Sequence, residues 1–187
     1  MCGIAGGIGP SAPSVQSLEA QLTKLEHRGP DDRGTYVNQS IALGMCRLAI
    51  VEIAAGKQPF ESADGKIKIV FNGEIYNYRE LREKLVSLGH VFSGASESEV
   101  IIALYRQHGP DFPNHLIGMF AIALFDQAND ALVLVRDRVG KKPLWFSKCA
   151  DGSILFASEV KALLAGLPTR TLRKGAVAEV MQFGYVN

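Results

Sequence analysis

Two neighbouring segments of this sequence are apolar on both faces of the strands that they are predicted to form. They read MFAIALF, from Met119 to Phe125, and ALVLV, from Ala131 to Val135. A strand that is apolar on both faces must be covered on both. The sequence therefore favours a central sheet in a layered domain, packed against another sheet or under helices.

The turn segments QAND, RVGKK and ADG separate these strands from one another and from two more, PLWFSK and SILFAS. We interpret the four strands as an antiparallel meander. Further strands are predicted for the opening MCGIAGGIG, for residues 34–38 and 40–46, and for KIKIVFN, the second arm of a hairpin around Asp64-Gly65.

Apolar residues at helical spacing predict a helix from Val15 to Leu25 and another from Tyr78 to Leu88, ending at Gly89. A third helix is predicted to start at a capping box, with Ser96 as the N-cap and Glu99 three residues later. A short closing helix is predicted from Glu159 to Leu164.

Charge and hydropathy exclude several classes of function. Twenty Lys and Arg against nineteen Asp and Glu leave a net charge of +1, which argues against nucleic acid or an anionic membrane as partner. The longest apolar run, Met119 to Phe125, falls far short of the roughly 18 residues that suggest a membrane span, and no secretory signal is evident. The three scattered cysteines suit reduced thiols, so we expect a soluble cytoplasmic protein.

Cys2 is a candidate nucleophile. Removal of Met1 would leave Cys2 as the first residue, with a free α-amine beside its thiol. The ordinary pKa of that amine, about 7.7–8.0, suits a general base. Gly3 would let a substrate lie close to the backbone. The alternative is a small buried thiol at the start of a strand.

Three other features have both a structural and a functional interpretation. Asn72-Gly73 is most often only a hairpin turn, but an Asn amide and a Gly N–H can together donate to an oxyanion. Arg47, between apolar residues, needs either a buried structural carboxylate or a substrate carboxylate. Glu97 and Glu99 both suit the cap and dipole of the helix, which is the better interpretation for Glu99, and the alternative for Glu97 is to receive the ammonium group of a ligand.

A series of motifs occurs in order along this chain: MCGIAG, HRGPDDRG, CRLAIVE, GKQPF, FNGEIYNYRELR, SESEVI, GMFAIALFD, RDRVGKKPLWF and FASEVKAL. Together they resemble the glutaminase domain of the glutamine-dependent asparagine synthetases over essentially all of residues 2–165. The resemblance favours this family over the glucosamine-phosphate synthases and phosphoribosyl-pyrophosphate amidotransferases, which share the N-terminal Cys and the NGE segment. It implies an α+β N-terminal-nucleophile hydrolase fold, a four-layer αββα sandwich of two antiparallel sheets.

The resemblance also implies a mechanism and a set of site residues. Cys2 would attack the side-chain amide of glutamine, its own amine would move the proton, and a thioester would release ammonia before water yields glutamate. Asn72 and Gly73 would form the oxyanion hole. The substrate-binding residues would be Arg47 for the α-carboxylate, Glu74 and Glu97 for the α-ammonium, and Ile50 and Val51 along the pocket wall.

Glu97 departs from the family pattern, which has Asp at this position. The additional methylene moves the carboxylate by about 1 Å or more, and a displacement of about 1 Å can cost on the order of 10²-fold in rate. We therefore expect weak affinity for glutamine.

The family's Ser-Gly-Gly-rich ATP-binding loop has no match here, and GIAGGIG fits neither phosphate-binding nor dinucleotide-binding spacing. We expect no cofactor in this chain, with ATP and Mg²⁺ binding only in an absent synthetase domain. Residues 2–165 would be the glutaminase domain, and residues 166–187 a linker and the truncated start of that absent domain.

The expected partners are glutamine, a synthetase domain in the full-length protein, and a second copy if the apolar face of Val177, Val180 and Met181 buries itself in a homodimer. Neither nucleic acid nor a membrane is expected. The alternative function is a catalytically weak or inactive glutaminase-like module for binding or regulation. A further alternative is an amidotransferase whose acceptor is not aspartate.

Overall fold

A computed structural model describes residues 2–10, 14–48 and 57–186 of the chain. Short 3-10 helices cover Glu26–Arg28 and Gly109–His115. The α-helices are α1 (Val15–Thr23), α2 (Tyr78–Ser87), α3 (Glu97–His108), α4 (Val160–Gly166) and α5 (Lys174–Phe183). The strands are β1 (Gly3–Ile8), β2 (Asp32–Val37), β3 (Ile41–Arg47), β4 (Phe60–Glu61), β5 (Ile67–Ile75), β6 (Gly118–Asp126), β7 (Ala131–Arg136), β8 (Trp145–Lys148) and β9 (Ile154–Ala157).

The strands form two antiparallel sheets, one in the order β2-β3-β1-β9-β8 and the other in the order β4-β5-β6-β7. The core between the sheets is made of alternate residues of the central strands, because side chains along a strand point to opposite faces. Its buried members include Ile4, Leu43, Met45, Val70, Ala121, Ala123, Phe125 and Phe156.

Helices cover the outer faces of both sheets. Helices α1 and α4 pack on the first sheet through Leu18, Leu22 and Leu163. Helices α2 and α3 pack on the second sheet through residues such as Leu85 and Ile101. The predicted four-layer αββα sandwich is therefore confirmed, and β6 is covered on both faces as its sequence requires.

The predicted four-strand meander is wrong at its midpoint. Strands β6 and β7 pair in the second sheet, whereas β8 and β9 pair in the first. Consecutive antiparallel strands usually pair, but here the RVGKK segment crosses between the layers. Asp137 holds the crossover, because its carboxylate accepts hydrogen bonds from the backbone N–H groups of Phe120, Lys141 and Lys142.

The start of α3 confirms one half of the predicted capping box. Ser96 is the N-cap, and its hydroxyl accepts a hydrogen bond from Ser98 N at 3.1 Å. The Glu99 carboxylate, however, accepts hydrogen bonds from Ser93 and Gly94, in the preceding loop. The loop folds back over the first turn of α3, and its N–H groups reach the carboxylate.

Helix α5 carries the apolar residues that the sequence places at the end of the chain. Met181 is 84% exposed, and Val177 and Val180 are nearly half exposed. Among the described residues this apolar face is left largely exposed, and its burial in a homodimer stays a prediction. Among the described helices, none combines the length and the apolar character needed to cross a membrane.

Candidate active site

The topology brings the first residues of the chain to the end of β3. Strand β1 runs antiparallel to β3, with Gly3 opposite Cys46, so Cys2 lies beside Arg47. Both strand ends face β5 of the second sheet across the inter-sheet core. The site is therefore built at one end of the interface between the two sheets.

A cavity of about 850 Å³ opens at this end of the interface. It is lined by every predicted site residue that lies in the described ranges. Ile50 and Val51, predicted to line the pocket, lie outside the described residues. The predicted residues around the cavity are Cys2, Arg47, Asn72, Gly73, Glu74 and Glu97.

Cys2 is partly buried, and its Sγ lies 3.9 Å from the Leu48 carbonyl oxygen. The three cysteines are free thiols, as predicted. The approach of a substrate to the Gly3 backbone stays a prediction, and a Cβ at this position would meet Leu25 Cβ at 3.1 Å and Arg28 Cδ at 3.2 Å. The small size of Gly3 makes room for the layer behind the strand.

Asn72 and Gly73 lie within β5, so the hairpin-turn interpretation is wrong. Asn72 pairs with Ala121 of β6 and shares the inter-sheet face of β5 with Val70. Its side chain is 2% exposed, and its Nδ2 has no hydrogen-bond partner among the described residues. A buried amide donor without a partner costs free energy unless it serves a ligand.

Gly73 lies where β5 and β6 come too close for a side chain. A Cβ at Gly73 would lie 2.1 Å from the Met119 carbonyl oxygen and 2.7 Å from Phe120 Cα. Both are backbone atoms of a paired strand, so neither can move aside easily.

We expect Gly73→Ala to lower the free energy of unfolding by about 3 kcal/mol, the upper range for overpacking of a well-packed interior. Urea unfolding measures the change. Gly175→Ala, in α5 where a Cβ meets nothing within 4 Å, is the matched control and should not destabilise the protein. Equal stabilities for the two variants would contradict the close approach.

The charged residues of the cavity differ in their burial. Arg47 is 8% exposed, whereas Glu74 is exposed at the cavity rim. Glu97 is half-buried, and its Oε1 accepts a hydrogen bond from Ile75 N at 2.9 Å. A buried guanidinium and two carboxylates around one cavity suit a zwitterionic ligand with opposite charges at one end.

An ion cluster behind Cys2 was not predicted. Arg28 Nε donates to the Cys2 carbonyl oxygen at 3.0 Å, and Arg28 Nη1 donates to Glu159 Oε1 at 2.9 Å. His27 and Lys161 also contact the Glu159 carboxylate. Arg28 and Glu159 are 131 residues apart, so local sequence patterns do not predict this contact. The two residues are marked only by lying in the HRGPDDRG and FASEVKAL motifs.

Burial raises the pKa of Glu159, but hydrogen bonds from Arg28, Lys161 and His27 outweigh it and lower the pKa from 4.5 to about 2. A lowered folded-state pKa stabilises the fold above the unfolded pKa, and this contribution is lost as the pH falls through the folded value. The relevant window is therefore from about pH 4.5 down to about pH 2.

We expect Glu159→Gln to lower the free energy of unfolding by on the order of 2 kcal/mol at neutral pH. The difference from the wild type should close as the pH falls from 4.5 to about 2, because the wild-type carboxylate becomes protonated in that window. Urea unfolding across this range measures it, with exposed Glu80→Gln as the control. A pH-independent difference would contradict the assignment.

Lys141 and Lys142 also line the cavity, and the sequence did not single them out. Lys142 is 7% exposed. A charged segment between strands is typical of a solvated turn, but here the Asp137 carboxylate and the Arg136 guanidinium both bind the backbone of the segment. As for metals, residues 2–10, 14–48 and 57–186 hold no group of three or more His, Cys, Asp or Glu suited to a metal ion.

The chain has two stacked antiparallel sheets between helical layers, and Cys2 leads into a central strand of one sheet. This is the N-terminal-nucleophile hydrolase fold. Two solved structures share it. The glutamine phosphoribosylpyrophosphate amidotransferase from B. subtilis, complexed with ADP and GMP, superposes with a TM-score of 0.68 at 22% identity, over 88% of this chain and 43% of that one. A structure described as the allosteric regulatory enzyme of purine biosynthesis gives 0.70 at 22% identity, with the same coverage of both chains.

The chain belongs to the glutamine amidotransferase domain family, whose model matches residues 1–187. It is 39% identical over 170 residues to asparagine synthetase [glutamine-hydrolyzing] 2 of Bacillus subtilis, covering 88% of this chain and 22% of that protein. It is 42% identical over 166 residues to asparagine synthetase [glutamine-hydrolyzing] 3 of Arabidopsis thaliana, covering 87% and 28%. The chain thus spans less than a third of the length of these relatives.

Proposed function

We propose that this chain hydrolyses glutamine to glutamate and ammonia through a thioester on Cys2. The observation that carries the proposal is the convergence in one cavity of Cys2 and the buried Asn72 Nδ2, which has no hydrogen-bond partner among the described residues. The names of the curated relatives supply the substrate, because they are glutamine-hydrolysing enzymes.

The proposed reaction starts from the mature chain with Cys2 as its first residue. The Cys2 α-amine takes the thiol proton, directly or through water, and Sγ forms a bond to the amide carbon of glutamine. The Asn72 amide and the Gly73 N–H stabilise the oxyanion. The C–N bond then breaks, and the amine returns the proton to the departing ammonia. Water cleaves the thioester, restores the thiol and releases glutamate.

The same proposal assigns the substrate contacts. The buried Arg47 guanidinium binds the α-carboxylate by its planar fork, and Glu74 and Glu97 bind the α-ammonium. Ile50 and Val51 remain predicted pocket residues.

The direct test of the proposed hydrolysis is release of glutamate and ammonia from glutamine by the purified chain, after a measurement of intact mass has established that Met1 is absent. A processed chain that releases neither would contradict the proposal and favour the binding or regulatory alternative.

We also propose that the ammonia is used by a synthetase domain in the full-length protein. The relatives are several times longer than this chain and are named asparagine synthetases. Aspartate is then the acceptor, with ATP and Mg²⁺ bound by that domain. Asparagine formation by the full-length protein from glutamine, aspartate, ATP and Mg²⁺ tests this step. If the full-length protein instead amidates a carboxylic acid other than aspartate, that acid is the acceptor.

We expect Glu97→Asp to lower the KM for glutamine several-fold, because a displacement of about 1 Å in a binding group is costly. Initial rates of glutamate release over a range of glutamine concentrations give the value. An unchanged or higher KM would mean that Glu97 is already well placed, through its bond to Ile75 N, or does not contact the substrate.

A further inference from the structure

The loop between α2 and α3 leads directly into Glu97. Ala95 and Ser96, at the end of this loop, line the same cavity as Glu97 and Cys2. The position of the Glu97 carboxylate therefore depends on how firmly the preceding residues are held.

Glu99 holds the loop from the helix side. Its Oε1 accepts hydrogen bonds from Ser93 N, at 3.0 Å, and from the Ser93 hydroxyl. Its Oε2 accepts from Gly94 N at 2.9 Å. A Cβ at Gly94 would lie 3.3 Å from Oε2, so glycine leaves room for the carboxylate. One side chain in the first turn of α3 thus fixes two consecutive residues of the loop.

Arg82 of α2 holds the same loop from the other side. Its Nη2 donates to the Gly94 carbonyl oxygen at 2.7 Å, and its guanidinium lies 5.0 Å from the centre of the Phe92 ring. The N–H of Gly94 is therefore bound to α3 and its carbonyl to α2. Charge-assisted hydrogen bonds of this kind are stronger than neutral ones, so the two contacts define the path of the loop.

We propose that Glu99 and Arg82 are positioning residues for the α-ammonium site of the substrate. They fix Ser93 and Gly94, and thereby the orientation in which Glu97 enters the cavity. This inference rests on the proposed use of glutamine by the site. Cys2 immediately precedes β1 and Asn72 lies in β5, so neither is carried by this loop and the proposal predicts an effect on binding rather than on the chemical step.

The first test is Glu99→Gln, which keeps the length of the side chain but replaces one acceptor oxygen with a donor facing a backbone N–H. We expect the KM for glutamine to rise about five- to ten-fold with kcat within about two-fold, the pattern for lost binding rather than lost chemistry. Glu83→Gln, on the exposed side of α2, is the matched control and should leave both unchanged. Unchanged KM in Glu99→Gln would overturn the proposal.

A double-mutant cycle separates positioning from a general effect on structure. If Glu99 acts through Glu97, adding Glu99→Gln to Glu97→Ala should raise KM by less than about two-fold further. The same fold-increase in both backgrounds would overturn the proposal. Arg82→Ala tests the loop without altering α3, and Arg82→Lys should restore part of its KM effect. If Glu99→Gln fails to fold, the Arg82 pair decides the outcome.

The wild type distinguishes this inference from the proposed function. Absence of glutamine hydrolysis by the processed wild-type chain would contradict the proposed function itself. If the wild type is active and both Glu99→Gln and Arg82→Ala keep the wild-type KM for glutamine, only the proposed role of the loop is contradicted.

Discussion

Cys2→Ala is expected to reduce glutamate release from glutamine by at least about 10⁴-fold, the scale seen when a covalent nucleophile is removed. The reason is chemical, because alanine cannot form the thioester while the rest of the cavity stays in place. Steady-state rates of glutamate release measure the effect.

Cys149→Ala is the matched control, since Cys149 is also a partly buried free thiol but lies outside the cavity. Its rate should equal that of the wild type. Comparable activity in Cys2→Ala and the wild type would contradict a nucleophilic role for Cys2.

Asn72→Ala is expected to lower kcat by about 10²–10³-fold, the usual cost of losing one oxyanion donor. The KM should change little, because the amide is proposed to act on charge that develops only during the reaction. Since Asn72 Nδ2 has no partner among the described residues, its removal leaves no described group newly unsatisfied, and stability should change by less than about 1 kcal/mol.

Stopped assays of initial rate and urea unfolding on the same protein test both halves of this prediction. Exposed Asn114→Ala, outside this cavity, is the control and should match the wild type in both. A large loss of stability with an unchanged kcat would instead assign Asn72 a structural role.

Much of the fold follows from local patterns. The doubly apolar β6 requires cover on both sides, and the structure supplies it. The Ser96 N-cap and the positive φ of Gly89 after α2 depend on residues close in sequence, so the sequence predicts them well. The crossover after β7 was missed because turn composition does not say which sheet the next strand joins.

The site residues were found mainly through the resemblance to a family, and the structure adds how they meet. Asn72-Gly73 has the composition of a turn, yet β6 pairs along the full length of β5 and extends the strand through both residues. The link from Glu159 through Arg28 to Cys2 joins distant parts of the chain, and local spacing carries no information about such contacts. Glu99 was interpreted as a local cap because the loop that it binds had no helical or strand pattern.

The most direct test of a thioester on Cys2 is mass spectrometry of the processed chain quenched in acid shortly after mixing with glutamine. We predict a mass increase of one glutamyl group on the peptide that begins with Cys2, and no such increase in Cys2→Ala. Glutamate release at the wild-type rate by Cys2→Ala, with no glutamyl group on either protein, would contradict it.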